Sequence, residues 1–198
     1  MSDTPNPTNT PGSSAGNPRP QGPAGENLVL VGMRASGKTT LGRELARRTG
    51  APFVDLDEEL GRRAGRDADE LLRTEGEAAF RALERDLLRW AAALRGHVVA
   101  TGGGAVLGAE AFSSLCASAT VVYLEWSPEA LIDRGTRRPR APLRAGSLAD
   151  EVRSLLSERA ALYEAAADLT ISGGDGDPIL EILSRWPRQT PPGPARDA

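Results

Sequence analysis

The chain is short of lysine, cysteine, histidine and aromatic residues, and each shortage excludes something. Its one cysteine, Cys116, rules out an intramolecular disulfide and a cysteine-based zinc site. Its one histidine, His97, rules out a His-rich metal site or a paired-histidine mechanism. Long apolar runs are missing too. The longest, residues 28–31 and 119–124, are strand-sized and predict no membrane span. The N-terminus has no basic stretch followed by an apolar one, so no secretory signal is read and a cytoplasmic protein is expected. A strong excess of positive charge is likewise absent. The net charge is −3, which argues against a general binder of nucleic acid. Lysine is the sharpest shortage: 23 of the 24 basic residues are arginine, and Lys38 is the single lysine. A GC-rich genome explains an arginine bias, but it does not explain where the one lysine stands.

The remaining composition is that of a globular protein, 39% hydrophobic and 26% charged over 198 residues. Residues 1–26 hold six prolines and no large apolar side chain after Met1, so they read as a disordered tail. Residues 187–198 have the same character. The folded unit is expected to be one domain over residues 27–186.

Within it, short apolar runs alternate with helical patterns. Strands are predicted at 28–31, 52–54, 97–100, 120–124 and 169–171. Helices are predicted at 39–48, in two short pieces split near Gly65, the second capped by Asp67, and at 77–94. Further helices are predicted from Ser127-Pro128-Glu129, over 147–166, and from Asp177-Pro178 to near Trp186. The pattern implies a parallel sheet with helices on both faces.

Gly32-Met33-Arg34-Ala35-Ser36-Gly37-Lys38-Thr39 matches G-x-x-x-x-G-K-[ST] between a strand and a helix. The glycines let consecutive N–H groups converge on an anion, and the helix N-terminus adds its positive end. Lys38 would reach the β- and γ-phosphates, and the Thr39 hydroxyl would ligate Mg²⁺. Asp55-Leu56-Asp57 closes the second strand. Strand alternation would send both carboxylates off the carboxyl edge of the sheet, although a helix cap followed by a solvated acidic run fits equally well. Thr101-Gly102-Gly103-Gly104 after strand three marks a close approach of ligand to backbone, or a tight turn. Arg81, taken alone, reads as a surface helix arginine. Arg134, Arg137, Arg138, Arg140 and Arg144, with Pro139 and Pro142, read as a flap that could close on phosphates. Trp90, Trp126 and Trp186 read as packing, His97 as a strand-edge residue and Cys116 as a small hydrophobe near a helix end.

Together these residues resemble the shikimate kinase family of P-loop enzymes, over essentially the whole folded unit. The resemblance rests on the phosphate loop, Phe53-Val54-Asp55-Leu56-Asp57, and Gly76-Glu77 with Phe80-Arg81 and Glu84. It rests also on Gly102-Gly103-Gly104-Ala105, the flap, and Arg159 with Leu162-Tyr163. It implies a three-layer α/β fold with a five-stranded parallel sheet in the order 2-3-1-4-5. It implies transfer of the ATP γ-phosphoryl group to the 3-hydroxyl of shikimate by a monomer, with Mg²⁺. By the family pattern, Lys38, Asp57 and Arg140 are catalytic. Gly32, Ala35, Ser36, Gly37, Lys38, Thr39, Thr40, Arg134 and Pro178 hold the nucleotide, the last pair sandwiching adenine. Asp57, Arg81, Gly103, Gly104 and Arg159 hold shikimate, and Thr39 and Asp55 serve Mg²⁺.

Two positions depart from the pattern. Ala35 stands where the family commonly has glycine. In the flap, Ala141-Pro142-Leu143-Arg144 puts alanine where the family has the arginine of Arg-Pro-Leu-Leu, leaving Arg138, Arg140 or Arg144 to supply the charge. Ala141 also motivates another reading, a nucleotide-binding regulatory domain with little turnover. A third reading is a kinase for another small polyol or acid, where the set Arg81, Arg159 and Asp57 favours an anionic polyol.

Overall fold

The computed structural model describes residues 25–66, 68–137, 146–173 and 177–186. Five parallel strands form one sheet in the order β2-β3-β1-β4-β5. They are β1 (Asn27–Val31), β2 (Phe53–Asp55), β3 (Val98–Ala100), β4 (Ala119–Glu125) and β5 (Leu169–Ser172). The helices are α1 (Lys38–Thr49), α2 (Leu56–Ala64), α3 (Ala68–Ala92), α4 (Ala109–Cys116), α5 (Pro128–Arg137), α6 (Leu148–Ala166) and α7 (Pro178–Arg185).

The central strand β1 is buried along its whole length, and its side chains alternate between two cores. Leu28 and Leu30 pack with Leu45 of α1 and with Ile179, Ile182 and Trp186 at the α7 end. Val29 and Val31 pack on the other face with Leu88 of α3, Phe112 of α4, Leu131 of α5 and Leu155 of α6. Each fully buried Leu contributes about 1.5–3 kcal/mol, so both faces must be covered, and the helices divide between them. The register pairs Val29 with Val99 and with Val121, and Asp55 with Ala100. Because every strand runs the same way, Gly32, Asp55, Gly102, Trp126 and Gly173 all emerge at or beside one edge, the carboxyl edge.

Local signals set most boundaries. Gly50 ends α1 in the left-handed region and returns its N–H to Ala46 O. Ser147 and Asp150 form a capping box at α6. Asp177 caps α7, with Pro178 in its first turn. Two expectations change. The predicted helix over 77–94 is the second part of α3, joined to the first at Gly76, whose φ of 83° kinks the axis. The Asp67 cap lies outside the described residues. The strand alternation argued for Asp55 and Asp57 does not hold. Asp55 is the last residue of β2, and Asp57 already lies in the first turn of α2. Among the described residues, no helix is long and apolar enough to cross a membrane.

Candidate active site

The phosphate loop runs from the end of β1 into α1. Three of its residues have positive φ: Gly32 at 139°, Ala35 at 63° and Gly37 at 99°. Gly32 cannot carry a side chain, since a Cβ there would lie 2.8 Å from Leu124 O. Lys38 turns back under the loop, and its Nζ donates to Gly32 O and Met33 O, each at 2.8 Å. The single lysine therefore also holds the shape of the anion nest. A compact ammonium with three donors can bind two carbonyls and also reach Ser36 Oγ at 3.5 Å, a geometry that a planar guanidinium matches less readily.

Asp55 serves two elements. Its Oδ1 accepts from the N–H groups of Asp57 and Glu58, capping α2. Its Oδ2 accepts from the Thr39 hydroxyl at 2.6 Å. The cap reading of the acidic pair holds for Asp55, and its second oxygen meets Thr39. Thr39 and Asp55 offer two hard oxygens beside the phosphate nest. That suits Mg²⁺, which takes one or two protein oxygens and completes its shell with phosphate and water.

The three glycines after β3 are in close contact with the neighbouring side chains. A Cβ at Gly102 would lie 2.6 Å from Asp57 Oδ1, and one at Gly104 would lie 2.7 Å from Arg81 Nη1. Gly103 packs against the backbone of Arg34 in the phosphate loop. Arg81 is held by Glu84 at 2.7 Å, one turn further along α3. Arg81 thus packs against Gly104 beside the carboxyl edge of the sheet, with its side chain 29% exposed. Gly103 O accepts from Arg159 Nη1 at 3.0 Å and from the Tyr163 hydroxyl. Arg159 is only 4% exposed, and its Nε is buried without a hydrogen-bond partner. A buried guanidinium donor in this state calls for an acceptor, and a carboxylate matches its fork.

Burial pushes the Tyr163 hydroxyl up to about 12, so it remains a neutral donor to Gly103 through the physiological range. Tyr123 stacks on Tyr163 with ring centroids 5.2 Å apart.

On the nucleotide side, Arg134 of α5 donates its Nε to Ala35 O at 2.8 Å, and a Cβ at Gly37 would meet its Nη2 at 3.0 Å. Pro178 opens α7, and Thr40 is exposed on the first turn of α1. Arg140, Arg138, Arg144 and Ala141 lie outside the described residues. The packing reading of Trp126 was incomplete, because its indole N–H donates to Ser36 O at 2.9 Å. Its place directly after β4, at the ligand-binding edge, was the available signal. His97 is buried with Nδ1 2.8 Å from Arg95 O, away from these groups in the chain and on the amino side of β3.

The chain is similar to known proteins of one family. A family model described as shikimate kinase matches residues 34–185. The shikimate kinase of Nitratidesulfovibrio vulgaris is 45% identical over 150 residues, covering 74% of this chain and 86% of the relative. That of Nitrosococcus oceani is 40% identical over 164 residues, covering 82% and 86%. The solved structure of shikimate kinase from Acinetobacter baumannii in complex with shikimate has a TM-score of 0.74 and 34% identity. The match covers 81% of this chain and 92% of that one. Fold and phosphate loop together define a P-loop kinase, an enzyme that binds ATP and transfers its phosphoryl group. The chain belongs to the shikimate kinase family. ATP and Mg²⁺ are the phosphoryl donor and the metal of that family.

Proposed function

We propose that this chain transfers the γ-phosphoryl group of ATP to the 3-hydroxyl of shikimate, giving shikimate 3-phosphate and ADP in the route to the aromatic amino acids. The observation that carries the substrate assignment is the buried Arg159, with its unpartnered Nε, next to the Arg81–Glu84 pair across the three glycines. Two guanidinium groups on adjacent glycines suit a carboxylate, and the Asp57 carboxylate beside Gly102 suits a hydroxyl.

The roles divide by chemistry. Arg81 and Arg159 bind the substrate carboxylate, with Gly103 and Gly104 lining the pocket. Asp57 accepts a hydrogen bond from the reacting hydroxyl and takes its proton as the phosphoryl group arrives. Gly32, Ala35, Ser36, Gly37 and Thr40 bind phosphates through the loop and the first turn of α1. Lys38 neutralises charge on the transferring group. Arg134 and Pro178 hold the base. Thr39 and Asp55 hold Mg²⁺, which when bound neutralises charge on the phosphates. Arg140 supplies the flap charge in place of Ala141. Phosphoryl transfer relies on positioning and charge compensation more than on a strong base, so a solvent-accessible Asp suffices. The folded unit is residues 27–186, acting as a cytoplasmic monomer.

Phosphorus NMR of the products tests the chemistry. Incubation with ATP, Mg²⁺ and shikimate should give a phosphate ester coupled to the proton on carbon 3. An ester on another hydroxyl, or none, would overturn the assignment. A substrate panel of other anionic polyols distinguishes the related kinase reading.

A further inference from the structure

We infer that Trp126 is a positioning residue of the nucleotide site, holding the phosphate loop in its anion-binding shape from behind. The inference rests on the proposed nucleotide site but not on the identity of the phosphoryl acceptor.

The apex of the loop is Ala35-Ser36. Ala35 has φ +63°, the left-handed region that an alanine holds only when its surroundings enforce it. Two contacts from outside the loop hold the apex, and both involve Trp126. Its indole N–H donates to Ser36 O at 2.9 Å. Its ring lies under the Arg134 guanidinium, with Cζ 4.3 Å from the ring, and Arg134 Nε donates to Ala35 O at 2.8 Å. The carbonyls of two successive apex residues are thus both held by donors outside the loop. A peptide whose carbonyl is held on one side presents the next N–H on the other, so the bond to Ser36 O orients the N–H of Gly37, while the Ser36 N–H turns back to Met33 O at 3.2 Å.

The indole is itself fixed. It lies flat on Gly173, just past β5, where a Cβ would fall 2.2 Å from the ring carbons. Trp126 is therefore sandwiched between the end of the sheet and Arg134. It follows the last residue of β4 directly, so the end of the sheet anchors the brace. A merely structural tryptophan would affect stability alone; this one should affect nucleotide affinity through the conformation of Ala35.

The test is calorimetric titration of MgADP into the full chain and into Trp126→Phe, Ala35→Gly and the double variant. Steady-state KM values and melting temperatures are measured beside it. Phenylalanine keeps the ring on Gly173 and removes the donor. Trp126→Phe should raise the MgADP Kd and the KM for ATP by about fivefold, the scale of one lost hydrogen bond, with the shikimate KM unchanged. Glycine adopts the left-handed conformation without cost, so in the Ala35→Gly background the same change should raise the Kd by less than about twofold. An unchanged Kd in Trp126→Phe, the same fold-rise in both backgrounds, or an equal loss of shikimate affinity would overturn the inference. Should Trp126→Phe fail to fold, Gly173→Ala displaces the indole from the other side and should reproduce the nucleotide defect. Normal MgADP affinity in that variant would count against the brace. Absence of any MgADP binding in the unmodified chain would instead overturn the nucleotide site.

Discussion

Thr39 donates its hydroxyl to Asp55 Oδ2 at 2.6 Å, while the other oxygen of the same carboxylate caps α2. One side chain thus joins the start of α1, the end of β2 and the start of α2. Stability and the proposed Mg²⁺ site are coupled through it, and the two can be separated by substitution. Asp55→Asn keeps an oxygen for the cap and loses the charge. It should melt close to the parent protein while requiring several-fold more Mg²⁺ for half-maximal activity. Asp55→Ala should lose about 1 kcal/mol of stability as well. Thermal melts and Mg²⁺ titrations of the two variants check this.

Arg81 sits against Gly104 and is oriented by Glu84. Removing it should weaken shikimate binding about 10- to 100-fold, the range for a hydrogen bond to a charged group, with the KM for ATP unchanged. Arg81→Lys should not restore affinity, because an ammonium cannot make the bidentate contact. Shikimate titrations read the outcome. Unchanged affinity in Arg81→Ala would remove this residue from the carboxylate site.

Gly102 leaves no room for a methyl group beside Asp57. Gly102→Ala should therefore shift the Asp57 carboxylate and lower kcat at least tenfold, with MgADP affinity retained. The phosphate loop does not touch Gly102 in the way it touches Gly103, so the two substrates should separate cleanly in the kinetics.

The alkaline side of the stability profile follows from burial. Burial pushes Tyr123 and Tyr163 up to about 12 and Cys116 up to about 11. In the unfolded chain these groups lose protons at lower pH than in the folded one. Above about pH 9 the unfolded state therefore binds fewer protons, and stability falls as pH rises toward 12. Denaturant melts between pH 8 and 11 should show this loss, and Tyr163→Phe should make it shallower. A flat profile across that window would contradict the burial of these groups.

The phosphate loop was legible in the sequence because its spacing, its preceding strand and its following helix are all local. The parallel sheet and its ligand edge followed from the alternation of apolar runs with helical patterns, and the strand order from the resemblance to the shikimate kinase family. What escaped was set partly by local capping and partly by contacts between distant segments. Asp57 was expected on the strand, but Asp55 caps a helix that begins at once, and Leu56 already turns inward. The helix α4 has no side-chain cap at its start, where Gly108 and Ala109 make the turn. Trp126 looks like any packing residue until β4 brings it to Ser36, 90 positions away in the chain. Arg159 could be marked by resemblance, but only the fold shows it buried against Gly103.

In the proposed function Arg140 supplies the charge at the transferring phosphate, with alanine at position 141. Arg140→Ala should lower kcat by about a thousandfold if Arg140 carries the charge at the transferring phosphate, while Arg138→Ala should change it little. Single-turnover rates at saturating ATP and shikimate compare the two.

The most direct measurement of the central claim is the rate of ADP release from ATP and Mg²⁺ with and without shikimate, compared with the same reaction on the methyl ester of shikimate. The site described here predicts strong stimulation by shikimate. It predicts little stimulation by the ester, which lacks the anion for Arg81 and Arg159. Nucleotide binding without shikimate-stimulated turnover would favour a regulatory domain and contradict the account, as would equal stimulation by the acid and the ester.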